Sequence, residues 1–163
     1  PGVVETSDNL GIVDLTSERG ECSFMVRSLI DNAGAELAEE IVSLFALAGI
    51  ATGDHGMHVH ENASCAPAPK DGVNVAGLAA GGHYDPTHAG KHEGPGKHGH
   101  KGDLPLITAD AQQNVKAKLH VTDLTTKDIK GRSLMIHAGG DNYSDQPAPL
   151  GGGGARIACG VIN

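Results

Sequence analysis

The chain has 163 residues, enough for a single domain over residues 1–163 around one core. Its formal net charge is −8 and it has no dense basic cluster, which excludes nucleic acid as a partner. No apolar run approaches the roughly 20 residues of a membrane span; Ile41 to Ala51 comes nearest.

The first residues suggest short strands over Gly11–Leu15 and Ser23–Leu29, with a hairpin turn at Glu18–Glu21. Residues 33–48 predict a helix instead. There Leu37, Ile41, Leu44, Phe45 and Ala48 recur at spacings of three and four, with Glu36, Glu39 and Glu40 opposite. Met57–His60 reads as a strand. Residues 61–105 carry Gly, Pro, His and Lys without sustained periodicity, as in a long loop that needs an organiser. Val115–Val121 alternates Val115, Ala117, Leu119 and Val121 against Lys116, Lys118 and His120, the pattern of a half-buried strand. Ser133–His137 is an apolar strand, Gly139–Gly154 a Gly/Pro-rich loop, and Ala155–Ile162 a last strand. Short strands joined by long loops favour an all-β sandwich or barrel. Pro1 follows no charged and apolar leader. That fits a mature form with its signal removed, or a chain that never had one.

The three cysteines are Cys22, Cys65 and Cys159. They allow one bridge with one thiol left over, or three buried free thiols. Cys65 and Cys159 flank the most chemically loaded stretches. A bridge between them would close a long loop, worth about 4–5 kcal/mol in the chain-entropy model, and would point to an oxidising compartment.

The middle of the chain is rich in metal-ligand residue types. His58 and His60 are two apart, so on a strand both imidazoles face one side, about 6–7 Å apart along the chain. His83, His92, His100 and Asp103 supply three imidazoles and a carboxylate, a closed four-coordinate set that suits structural zinc. The other reading of that segment is a solvated His-rich loop. His137 ends an apolar strand. Together with His58, His60 and His83 it completes an all-nitrogen set suited to copper.

The segments GMHVHENASC, AAGGHYDP, GKHEGP, HKGDLP and RSLMIHAGGDNYSDQPAPLGGGGARIACGVI occur in this order between residues 53 and 163. In them the chain resembles the bacterial secreted copper,zinc superoxide dismutases. The resemblance implies a Greek-key β-sandwich or flattened barrel with long metal-binding and electrostatic loops, and a periplasmic monomer or homodimer. It implies copper on His58, His60, His83 and His137, and zinc on His83, His92, His100 and Asp103, with His83 shared. It implies that Asp141 links His58 to His92 and that Cys65 pairs with Cys159. It also sets Arg156 beside the copper to meet superoxide, the substrate. Before residue 50 the pattern departs from the family, and Cys22 has no counterpart in it. His55, His88, His98 and His120 match no ligand position and are expected to be exposed.

The net charge opposes an anionic substrate, so attraction must be local. Lys70 is the first candidate for the rim of a steering channel and Lys91 the second. A metal buffer without catalysis would have no use for His137, Asp141 and Arg156. A cupin would carry Glu after three or four residues beyond the second His, where Ser64 and Cys65 stand. A copper-delivery protein on the same fold would tend to have lost copper ligands.

Overall fold

The computed structural model describes residues 27–28, 41–48, 50–121 and 123–163. The strand over 11–15, the turn at Glu18–Glu21, Cys22 and the stretch 33–40 lie outside these residues, as does most of the strand expected over 23–29.

The described strands are β1 (Arg27–Ser28), β2 (Ile41–Ala48), β3 (Gly53–His55), β4 (Met57–His60), β5 (Ala68–Lys70), β6 (Val73–Val75), β7 (Ile107–Ala109), β8 (Asn114–Val121), β9 (Arg132–His137) and β10 (Arg156–Ile162). One helical turn, α1 (Thr126–Ile129), precedes β9. The strands form two three-stranded sheets, β1-β2-β8 and β10-β9-β4, with two-stranded pairs β3-β7 and β5-β6. All named pairs are antiparallel. The fold is an all-β sandwich.

Residues 41–48 correct the expected helix. They form a strand, paired residue for residue with β8 from Ile41↔Val121 to Ala48↔Asn114. An eight-residue apolar run cannot be told from a buried helix by spacing alone. Here Ile, Val, Leu and Phe find an eight-residue partner strand, and that pairing decides the conformation.

Val115 and Val121 of β8 are buried, with Ala117 and Leu119 packed against the same core, while Lys116 and His120 face out. From the other sheet, Met57 and Val59 of β4, Leu134 and Ile136 of β9, and Ala158 of β10 enter that core. A strand has a side-chain period of two, so His58 and His60, like Met135 and His137, project to the opposite face of their sheet. There a second small cluster of Ala80, Met135 and Cys159 packs on Cys65. Cys65 and Cys159 form a disulfide, with Cα atoms 5.6 Å apart.

The long stretch 61–105 is held against β4 by backbone bonds rather than by side-chain pattern. Val59 N–H donates to Gly102 O, Tyr84 N–H to Val59 O, and Glu61 N–H to Gly82 O, at 2.8–3.0 Å. A Cβ at Gly102 would collide with the Val59 carbonyl, so only glycine lets the segment lie this close.

Thr125 and Asp128 cap α1 reciprocally, and Lys101 Nζ pairs with Asp128 at 2.8 Å. Burial opposes the Asp128 charge, but Lys101 and Thr125 outweigh it and hold the carboxyl down to about 2. A depressed carboxylate contributes stability above its ordinary pKa near 3.9, and that stability is lost as pH falls toward 2. Asp128→Ala should therefore lower stability by roughly 0.5–2 kcal/mol at pH 7. Thermal melts of the two proteins should draw closer at pH 3; an equal gap at both pH values would contradict the assignment.

Candidate metal centre

β4 delivers His58 and His60, and β9 delivers His137, onto the face of the sheet away from the main core. The loop after β6 brings His83, bridged to His60, and Asp103 is bridged to His58. Relative exposures are 0% for His58, 1% for His60, 5% for His83 and 7% for His137. The His83 ring stacks on His58 with centroids 3.8 Å apart, and lies 5.2 Å from His60 and 6.1 Å from His137.

One nitrogen of each strand histidine is occupied by a fixed acceptor. His60 Nδ1 donates to Gly81 O at 2.9 Å, His137 Nδ1 to Gly154 O at 3.3 Å, and His58 Nε2 to Asp141 Oδ2 at 2.8 Å. A carbonyl can only accept, so those rings carry the proton on that nitrogen. The other nitrogens, His58 Nδ1, His60 Nε2 and His137 Nε2, are buried and have no hydrogen-bond partner. Burial lowers His58 and His137 to about 4 and His60 to about 2, with the Arg156 guanidinium adding to it at His60 and His137. The result is a set of neutral rings with bare lone pairs. His58, His60, His83 and His137 offer four ligand atoms within 4.8 Å of one another. Three orphaned lone pairs in one buried spot are costly unless a cation meets them. The donor set therefore fits a transition metal.

The second cluster gathers around Asp103. Its carboxylate lies 3.0 Å from His83 Nδ1, 2.9 Å from His92 Nδ1 and 3.5 Å from His100 Nδ1. His92 Nδ1 and His100 Nδ1 lack an aligned hydrogen bond despite this proximity. Atoms that approach without alignment are facing a common point, as ligand atoms do. Burial would raise the Asp103 and Asp141 carboxyls, but the surrounding imidazoles hold both well below the usual carboxylate range. Burial likewise opposes charge on His92, yet Asp103 and Asp141 together push it up to about 9.

The tightest second group by distance is His58, His83, His92 and Asp103, with His58 in place of His100. Chemistry favours His100. His58 has spent Nε2 on Asp141 and keeps only Nδ1, which already belongs to the first cluster. His100 has its Nδ1 free and turned toward Asp103. His83 alone has one nitrogen on each side, since Nδ1 lies against Asp103 and leaves Nε2 for the first cluster.

Asp141 joins the clusters, accepting from His58 Nε2 at 2.8 Å and from His92 Nε2 at 2.7 Å. Gly151, at φ 71°, packs so closely over that carboxylate that a Cβ would fall on it. Arg156 is half-buried and donates to Gly77 O at 2.6 Å and Gly81 O at 2.7 Å. Gly81 O also accepts from His60, which sets the guanidinium beside that ring. Lys70 is exposed on β5, and no described contact ties it to the histidines. Lys91 pairs with Glu93 at 2.9 Å, which offsets its charge.

His88, His98 and His120 are exposed, as expected. His55 is not, and this corrects the sequence reading. It is 1% exposed, with Nδ1 at 2.8 Å from His137 O and Nε2 at 2.7 Å from Ala51 O. Its partners are backbone carbonyls, one of them 82 residues away, so no local pattern announces its burial. Asp145, which accepts from His92 N–H at 2.8 Å, was also missed. Its alternation with Asp141 and Tyr143 is the only trace of it in the sequence.

The family model for copper/zinc superoxide dismutase (SODC) matches residues 30–162. The match thus reaches further toward the N-terminus than the motifs between 53 and 163. Superoxide dismutase [Cu-Zn] of Brucella abortus biovar 1 (strain 9-941) is 59% identical over 113 residues, which cover 68% of this chain and 64% of that one. The Photobacterium leiognathi protein of the same name is 54% identical over 117 residues, covering 71% and 68%. The chain's match thus spans somewhat less than two thirds of the Brucella relative. Among solved structures, Cu/Zn superoxide dismutase from Brucella abortus superposes with a TM-score of 0.81 at 45% identity, covering 95% of this chain and 97% of that one. The solution structure of the monomeric copper, zinc superoxide dismutase from Salmonella enterica gives 0.72 at 40% identity, with coverage of 95% and 97%.

Proposed function

The chain belongs to the copper/zinc superoxide dismutase family, and from that premise we propose that it converts superoxide to dioxygen and hydrogen peroxide. In this reading His58 Nδ1, His60 Nε2, His83 Nε2 and His137 Nε2 hold copper. His83 Nδ1, His92 Nδ1, His100 Nδ1 and Asp103 hold zinc. The observation that carries the reading is the set of buried, unpartnered imidazole nitrogens on both sides of His83.

When bound, copper supplies reversible one-electron redox chemistry and zinc a fixed positive charge. His83 holds or releases a proton at Nε2, while Asp103 and the other zinc ligands keep its ring in place from the Nδ1 side. The released proton is one of the two that peroxide needs. Asp141 fixes the tautomers of His58 and His92, so each turns its free nitrogen inward. Arg156 still has guanidinium donors to spare after meeting Gly77 and Gly81, and these pair with an incoming anion. Lys70, exposed on β5, is the candidate cation for steering the anion.

The disulfide argues for an oxidising compartment, and with bacterial relatives we assign the protein to the periplasm. The monomeric Salmonella enterica relative supports a monomer over a homodimer. Among the described residues no helix is long and apolar enough to cross a membrane.

The purified, reconstituted protein should contain one copper and one zinc per chain and dismute superoxide. Stoichiometric metals without dismutase activity would refute the function while sparing the sites.

Arg156→Ala should slow turnover by about tenfold to a hundredfold with both metals retained, the size of one lost charge-assisted contact. Arg156→Lys should keep part of the rate, because the charge remains while the planar fork is lost. The wild-type rate should fall with salt, as screening sets in over about 10 Å at 0.1 M. Arg156→Ala should flatten that dependence. An unchanged rate and salt slope would make Arg156 purely structural.

A further inference from the structure

We infer that Tyr143 is a positioning residue for the zinc site, a role that rests on the zinc reading above and assigns a new residue to it. Tyr143 sits at φ 55°, a left-handed conformation that bulky side chains rarely adopt. Such an outlier persists where surrounding contacts over-determine it, and here each part of the residue has a contact. Its backbone N–H donates to Asp141 Oδ1 at 2.7 Å, the same oxygen that accepts from His92 Nε2. Its hydroxyl accepts from Leu106 N–H at 3.0 Å. Its ring lies on Gly94, where a Cβ would come within 2.7 Å of the ring carbons. Gly94 N–H in turn points at Asp103 Oδ2, at 3.3 Å.

One side chain therefore grips the chain on both sides of the carboxylate ligand, at Gly94 before it and Leu106 after it. Asp145 acts on the same loop, accepting from the His92 N–H. Side chains at 141, 143 and 145 thus form one clamp on the zinc loop. Asp141 sets the orientation of two rings, and Tyr143 sets where Asp103 stands between its flanking segments. The ring and hydroxyl of Tyr143 have no described contact with His58, His60 or His137; only its backbone N–H reaches that side, through Asp141 and His58, and both Tyr143→Leu and Tyr143→Phe keep that N–H.

The test uses the full, metal-loaded protein and two variants. Tyr143→Leu removes ring and hydroxyl, and Tyr143→Phe removes the hydroxyl alone. Zinc release to a chromogenic chelator should become about 10–100-fold faster in Tyr143→Leu, the range for groups that orient metal ligands. In Tyr143→Phe it should rise about severalfold, for one lost hydrogen bond. Cobalt(II) placed in the zinc site should show shifted visible bands in Tyr143→Leu, while the copper(II) electron paramagnetic resonance spectrum keeps its wild-type form. Unchanged zinc release and unchanged cobalt bands would overturn the inference, as would equal perturbation of both metal spectra. If Tyr143→Leu does not fold, Tyr143→Phe decides, and a wild-type release rate there overturns it. A wild-type protein that takes up no zinc would defeat the zinc reading instead.

Discussion

His137→Ala is expected to leave the protein without copper and without dismutase activity, while zinc stays at one per chain. His137 ends β9 with its Nδ1 tied to Gly154 O and its Nε2 bare. It has no described contact with Asp103, His92 or His100, and meets the zinc cluster only through the shared His83 ring, 6.1 Å away. Groups that merely orient ligands are worth about 10–100-fold in metal affinity, and loss of a direct ligand should exceed that. Metal analysis after dialysis against a weak chelator, beside an activity assay, checks both halves. Loss of both metals in parallel would show that the two clusters are not separate sites.

Asp103→Ala should have the opposite signature. Zinc should be released, and residues 85–103 should lose protection from hydrogen exchange. Asp103 is 1% exposed, lies within 3.5 Å of three imidazole nitrogens and accepts from Gly94 N–H. Removing it leaves those rings without their anion and the loop without its centre. A closed metal site contributes its binding energy to the order of the segment that carries it. Copper should remain bound but more loosely, since His83 is then fixed from one side only. Unchanged exchange across 85–103 would mean that backbone bonds such as Gly102 N–H to Tyr84 O hold the loop without the metal.

The sequence was legible wherever one physical period dominated. The alternation in Val115–Val121 announced β8 and its buried face, and the His-x-His pair announced a strand turning two imidazoles to one side. Residues 41–48 were misread because a short apolar run satisfies both periods, and pairing with β8 decided between them. β3 and β7, three residues each, are too short to carry a pattern. The hairpin β5–β6 hid inside an apparent loop for the same reason. All seven expected metal-ligand residues gather in one buried region, because ligand chemistry restricts residue type as strongly as packing does. The groups that orient those ligands were harder to see. Asp141 came only by resemblance, while His55, Tyr143 and Asp145 act through backbone groups distant in sequence. No residue type or spacing marks a partner of that kind.

In the proposed function His83 is shared between two different metals. Crystals of the reconstituted protein, with anomalous diffraction recorded at the copper and zinc edges, test it most directly. One copper peak should be bounded by His58, His60, His83 and His137, and one zinc peak by His83, His92, His100 and Asp103, on the two nitrogens of one ring. A single peak, or a zinc ion coordinated by His58 in place of His100, would contradict it.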